Sequence, residues 1–384
     1  MAAIDKIHDF IPRKYFVENV RDASGKITSS ALKQNRIGQI KIALVRETTN
    51  PLIIRSTDPE ATITILTVDN RELVEIPPRK LKSREKLLGL MICREFNVVD
   101  PDVRYNVLSG ADKLNNPNSV LFGDTSTMAG DTAGLVSRAV YDWAYSLRDV
   151  KEITDKLQHN ALSEAGTMID ETTGQMRQSL YQTDYVLPDT FFPHFITVDN
   201  ITPELFVHLL SCVLNQKRYG AQTTTNANNM NNHLVAIGFA DFEKPINSYL
   251  ISKAWNEDPQ NGAPTLTTVT NFVTKQMKAH YGEHGTVRNL VELAKWLNDL
   301  WAEEKKTALS EIYQSAKSSV TEYLKEIKMI GKDNEGIVKD AIAALKNSNA
   351  EVNKETVWKK VCEIKGDDKQ KNAFQKIIKK QLGG

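Results

Sequence analysis

Apolar residues fall into three textures along the chain. Over residues 39–76 they come in short runs, Ile40-Lys41-Ile42-Ala43-Leu44-Val45, Leu52-Ile53-Ile54 and Thr62-Ile63-Thr64-Ile65-Leu66. Asn50-Pro51 and Asp58-Pro59 divide these runs, and Pro77-Pro78 closes the stretch. β-Branched side chains pack well on a pleated surface and proline interrupts a ladder, so strands separated by turns are predicted. At residues 80–96 the period changes. Leu81, Leu88 and Ile92 stand seven and four apart with Leu87 and Met91 beside them, the spacing of a helix laid on that sheet.

Residues 106–135 are rich in Gly, Asn, Asp, Ser and Thr and have no period, which reads as a long irregular insertion. An apolar pattern resumes over 134–147. Residues 163–187 read as a protruding hairpin: Gly166-Thr167-Met168-Ile169, a turn at Thr172-Thr173-Gly174, then a longer arm with Leu180, Tyr181, Tyr185 and Val186. A strand at 191–198 leads into a helix with an explicit start, Thr202 as cap, Pro203 in the first position and Glu204 in the first turn before Leu205, Leu209 and Leu210. A polar loop, 219–232, and a strand, 233–239, follow.

Beyond residue 286 the texture is helical. Leu290, Leu293, Ala294, Leu297, Leu300 and Trp301 keep the period, Leu309, Ile312, Ala316, Val320, Tyr323, Leu324 and Ile327 continue it, and further segments lie near 335–346, 354–364 and 368–382. The expected division is a core over 1–250 with insertions at 106–135 and 163–187, a connecting segment over 251–285, and a helical domain over 286–384. No internal repeat is present.

Composition narrows the class. The chain has 384 residues, 41% of them hydrophobic, with 5 Trp, 12 Phe and 11 Tyr, enough to bury a large core, so disordered and fibrous classes are excluded. The longest apolar run, residues 87–93, falls far short of the ~20 residues a membrane-spanning helix needs. Residues 1–9 carry no secretion signal, and three scattered cysteines (Cys93, Cys212, Cys362) suit a reducing cytoplasm. A cytoplasmic protein without a membrane partner is expected. The net charge of +1 conceals a polarity: residues 1–100 sum to +4, 101–250 to −7 and 251–384 to +4. Such polarity suits head-to-tail self-association as well as a polyanion.

Enzyme signatures are scarce. Gly123-Asp124-Thr125-Ser126-Thr127-Met128-Ala129-Gly130 lacks the Lys-Ser/Thr of a phosphate-binding P-loop. In His280-Tyr-Gly-Glu-His284 two imidazoles stand four apart, but Gly282 and Gly285 weaken a helix there, and an exposed loop is the better reading. No cofactor and no metal are expected. The helix after Pro78 carries more information: Arg79, Lys82 and Lys86 form one stripe with Arg84 beside it and Gly89 extending it. That stripe is either an ordinary solvated face or a grip on a phosphate backbone, with Gly89 allowing close approach. Lys217-Arg218-Tyr219-Gly220-Ala221 opens a loop dense in amides and hydroxyls that can contact phosphates, 2′-hydroxyls and base edges, with Tyr219 available to stack. Met168 and Met176, with Arg177 alongside, either wedge between bases or pack as a β-arm on another subunit.

Together these segments resemble the backbone subunit of type I-D CRISPR interference complexes, within the repeat-associated superfamily built on an RNA-recognition-motif-like (RRM-like, ferredoxin-like) core. The resemblance is carried by Leu44-Val45-Arg46-Glu47-Thr48-Thr49-Asn50-Pro51-Leu52-Ile53-Ile54-Arg55, by the basic helix, by Leu121-Phe122-Gly123-Asp124 followed by Gly134-Leu135-Val136-Ser137-Arg138 and Asp142, and by Lys217-Arg218-Tyr219-Gly220-Ala221. It spans residues 35–250. It implies an α+β fold with an RRM-like core, inserted loops, a thumb hairpin and a helical C-terminal domain. It also implies copies polymerised head to tail along a CRISPR guide RNA, other CRISPR effector subunits as partners, and a target DNA or RNA strand paired to the guide. On this resemblance Lys82, Arg84 and Lys86 grip the guide backbone, Lys217 and Arg218 flank it, and Met168 or Met176 displaces a base. Arg46, Arg55, Arg79, Arg138, Arg177 and Tyr219 complete the candidate RNA-binding set.

Two departures stand out. Three scattered cysteines do not reproduce the zinc-binding insertion of some relatives, and the loop after Ala221 is Asn/Thr-rich where relatives tend to have glycine and arginine. Two other functions remain in view. One is ruler-like cleavage of target RNA by Asp58, against which Asp58-Pro59 is an ordinary turn pair. The other is general single-strand RNA binding.

Overall fold

In the computed structural model the described residues are 3–24, 27–33, 38–55, 62–106, 108, 110–128, 131–159, 169, 172–175, 181–327, 329, 334–348, 350–365 and 371–382. The core is a four-stranded antiparallel sheet. Its strands are, in chain order, Gln39–Thr48, Ala139–Tyr141, Phe191–Asp199 and Met230–Ala240, and across the sheet they run fourth, first, third, second. The helix Pro78–Glu95 lies between the first two strands in sequence, and the helix Pro203–Asn215 between the last two. This is the ferredoxin-like βαββαβ topology. The fold is α+β, as expected.

The central strand, Gln39–Thr48, pairs with Phe191–Asp199 on one side and Met230–Ala240 on the other. Side chains alternate across a strand, so Ile40, Ile42 and Leu44 enter the cluster that contains Leu81, Leu90, Leu205 and Leu209. Ala43 and Val45 enter a second cluster with Phe195, Trp255, Val273 and Met277. Both faces are thus covered, and the run 40–45 is nearly continuous in apolar character rather than alternating. The second face is closed by the helices Ser248–Glu257 and Leu266–Tyr281. The segment 251–285 therefore packs on the sheet where a mere connection was expected, through two amphipathic helices, one capped by Asn247 just before it and one by Thr265 inside it.

Residues 106–135 are also more ordered than expected. The Asn116 side chain accepts from Ser119 N to start the helix Pro117–Phe122, and the strands Asp124–Met128 and Asp131–Leu135 pair as a hairpin. Short elements of polar residues leave little period to read. Thr202 caps Pro203–Asn215 through Leu205 N, as its sequence spelled out. The helical region divides in two. Leu290–Leu300 and Lys306–Glu326 join the main core, where the Tyr313 ring stacks on Phe96 with centroids 4.5 Å apart. Asn334–Asn347, Lys354–Lys365 and Lys371–Gln381 build a small core of their own around Val338, Val357, Val361, Phe374 and Ile378. Among the described residues no helix is long and apolar enough to cross a membrane.

Candidate nucleic-acid interface

The segments singled out in the sequence meet at one end of the sheet. After the central strand the chain turns, and Leu52 N–H donates to Val186 O (3.0 Å) while Val186 N–H donates to Leu52 O (2.8 Å). That bridge anchors the root of the expected thumb, a hairpin of Thr154–His159 against Tyr181–Val186. The polar loop 217–229 folds over the same turn. Thr49 N–H donates to Asn229 O (3.1 Å) and Asn50 Nδ2 to Ala227 O (2.8 Å). Asn229 closes the loop by accepting from Tyr219 N (2.9 Å) and donating to Tyr219 O (2.8 Å). At Gly220, φ is +72° and a Cβ would lie 2.1 Å from Ile53 O, so only glycine fits where the two loops touch. Arg84 joins the basic helix to this loop, its Nη2 donating to Gly220 O (3.0 Å) and Thr223 Oγ1 (3.1 Å).

On this assembled edge Arg218, Thr224, Thr225 and Asn228 are exposed, and Lys217 is half-buried, its pKa lowered by burial. Arg79 is exposed at the start of the basic helix and Arg55 is half-buried past the turn. Cations, hydroxyls and amides side by side can hold phosphates and ribose hydroxyls without reading sequence.

Other expected contacts are turned inward. Arg46 and Tyr219 are both fully buried, so neither is available to grip a backbone or stack on a base. Arg46 Nη1 donates to Glu85 Oε1 (2.8 Å), Asn232 Oδ1 (2.7 Å) and Tyr219 OH (3.2 Å). Tyr219 OH donates to Glu85 Oε1 (2.7 Å), and Tyr141 OH donates to Glu85 Oε2. The Glu85 carboxylate is satisfied from three elements, by Arg46, Tyr219 and Tyr141, whereas Arg46 uses only Nη1 and its Nε and Nη2 are buried without a hydrogen-bond partner. Tyr219 thereby fixes the root of the loop whose outer face carries Arg218.

Past the exposed Arg79, the stripe on the helix Pro78–Glu95 is neither a solvated face nor an open phosphate grip. Lys82 Nζ donates to Ser137 Oγ (2.6 Å) and Ala139 O (2.9 Å), and burial, with Lys86 nearby, lowers its pKa to about 8. Lys86 pairs with Asp124 at 2.9 Å and donates to Gly123 O (2.9 Å). A Cβ at Gly89 would lie 2.2 Å from Asn118 Oδ1, so Gly89 admits a neighbouring side chain, not a phosphate. Arg138 donates to Asn200 O (2.6 Å) and Leu32 O (2.8 Å) and lies over the Tyr323 ring, a structural clamp. Asp58, Met168, Met176 and Arg177 lie outside the described residues.

Sequence reasoning missed Glu85, Tyr141 and Asn232. One signal was present: Glu85 stands four residues from both Leu81 and Gly89, a carboxylate on the apolar stripe of a basic helix. The buried Cys93, His208 and Cys212 lie close together, but burial raises Cys93 to about 12 and lowers His208 to about 3, leaving protonated thiols beside a neutral imidazole. Among the described residues no group of three His, Cys, Asp or Glu is placed to hold a metal ion. His280 ends the helix Leu266–Tyr281, and Gly282 breaks it before His284, which pairs with Arg288.

These features define a ferredoxin-like α+β protein with a polar loop face and a rooted hairpin at one sheet edge. The model of the Csc2 CRISPR family matches residues 30–341, and the chain belongs to that family. The crystal structure of Thermofilum pendens Csc2 is similar to it at 15% identity and a TM-score of 0.51, over 80% of this chain and 95% of that one. A chain of a CRISPR RNA-guided surveillance complex in a pre-nicking state aligns at 11% identity and a TM-score of 0.43, over 63% of this chain and 87% of that one. Comparison with curated proteins returns no match.

Proposed function

We propose that this chain is a guide-RNA-binding backbone subunit of a type I-D CRISPR interference complex, with a non-catalytic, cytoplasmic role. The observation that carries the reading is the convergence of the loop 217–229, the turn after the central strand and the root of the hairpin on one edge of an RRM-like core, in a chain of a CRISPR family. RNA laid along that edge meets Arg218, Lys217 and the loop hydroxyls and amides, while the hairpin displaces a base at intervals. Copies follow one another head to tail along the guide, and other effector subunits and the target DNA or RNA strand complete the assembly. Base pairing then supplies sequence specificity and the protein supplies backbone contacts. Lys82, Arg84, Lys86 and the Arg46–Glu85 pair position this surface from beneath.

Native purification followed by sequencing of bound RNA tests the reading. Guide RNA of uniform length with a common 5′ segment is expected from wild type and is depleted in the K217A/R218A variant. RNA of mixed length and sequence would replace the proposal with general single-strand binding. End-labelled complementary RNA with magnesium is expected to stay intact, and evenly spaced fragments absent from the D58N variant would overturn the non-catalytic role.

A further inference from the structure

The three C-terminal helices form a unit with its own core, and none of the residues of that core takes part in the main one. The match to the Csc2 family ends at residue 341, inside the first of these helices, so the other two lie wholly beyond it. From Lys354 onward the chain holds nine lysines, four acidic residues and no arginine. Between the second and third helices lies a groove of about 560 Å³ lined by Lys354, Glu355, Trp358, Gln375, Ile378 and Lys379. Lys354 and Lys379 are exposed, and Trp358 is half-buried with its ring 6.0 Å from Phe374.

We infer that this module is a second nucleic-acid site, separate from the loop face, and that it takes a single strand other than the guide. An aromatic ring offers a stacking platform that every base accepts, and cations beside it track the backbone, the two parts from which sequence-tolerant single-strand sites are built. Trp358 supplies the platform. Lys354 and Lys379 supply the cations, and Gln375 a polar contact to a base or sugar edge. The inference goes beyond the guide-binding reading and does not depend on it.

The test uses the full-length chain as purified, with its bound RNA left in place, and a fluorescent 20-nucleotide oligo(dT) read by anisotropy at several salt concentrations. Wild type is compared with K354E/K379E, with the milder K354Q/K379Q, with a chain ending at residue 333, and with K346E, whose exposed lysine does not line the groove. K354E/K379E and the truncation are expected to weaken binding at least tenfold. Losing two phosphate contacts lowers the salt slope by about 1.4 for a single strand. K354Q/K379Q is expected to show the same loss to a smaller degree, and K346E a change under twofold. Circular dichroism on each variant confirms that the helices remain, and if the charge reversal unfolds them the glutamine pair decides. Wild-type affinity in the truncated chain, or equal losses in K346E and K354E/K379E, would overturn the site. So would a change in self-association with oligo(dT) binding intact, which would make the module a protein contact. Guide RNA sequenced from the same preparations is expected to be unchanged, so failure of the guide reading is seen separately.

Discussion

The helix Pro78–Glu95 and the helix Lys354–Lys365 are both lysine-rich and amphipathic, yet their cations have opposite fates. In the first, Lys82 and Lys86 reach back to Ser137, Ala139, Gly123 and Asp124 and are consumed in holding the edge strand and a hairpin against the core. In the second, Lys354 and Lys359 stay in solvent. The difference lies in what surrounds each helix. The first is flanked by insertions whose backbone carbonyls accept from its lysines, whereas the second packs only on two neighbouring helices. A cation tied down inside one molecule is a stability element, and one left at the rim of a groove is, on the inference above, a binding element.

That contrast can be broken by experiment. The largest effect is expected from R46A, which leaves the Glu85 carboxylate buried without its counter-charge. The loss is about 3–5 kcal/mol by denaturant titration. Next is G220A, which forces a Cβ against Ile53 O at a positive φ and is expected to cost ~1–3 kcal/mol while detaching the loop that carries Arg218. K86A breaks the pair with Asp124 and is expected to cost ~1–3 kcal/mol, so any loss of RNA binding it causes comes with lowered stability.

Lys82 gives a pH signature. Its folded pKa of about 8 lies below the ordinary 10.5, so below pH 8 the folded state bears a charge it disfavours, and from about 8 to 10.5 the unfolded chain holds more protons. Stability relative to K82M is therefore expected to rise with pH across that window and to be flat below it, read from urea midpoints between pH 6 and 10. A flat difference throughout would place Lys82 in solvent, like Lys354. The smallest stability effect is expected from R218A, within ~0.5 kcal/mol of wild type because the side chain is exposed. On the proposed function it flattens the salt dependence of RNA binding by about 0.7, the mark of one phosphate contact to a single strand.

The sequence by itself determined the α+β class, the central strand, the capped helix at Thr202 and the helical character beyond residue 286, because each is written in local period and capping chemistry. Lys217 and Arg218 remain expectations from the sequence, and the hairpin expected over 163–187 has a paired root, Thr154–His159 against Tyr181–Val186, whose first arm lies before those bounds. Only the tertiary structure decided what the candidate side chains do. Arg46, Tyr219 and Arg138 look like surface cations and a stacking ring in one dimension. Arg46 and Tyr219 are buried and Arg138 is half-buried because Glu85, Asn232, Tyr141 and the carbonyls of Leu32 and Asn200 arrive from elements up to 186 residues away. The same holds for Gly89, whose missing side chain makes room for Asn118. A local pattern fixes which face of an element is apolar, but the partner that meets a charge across the core is set by chain topology, and no spacing along the sequence encodes it.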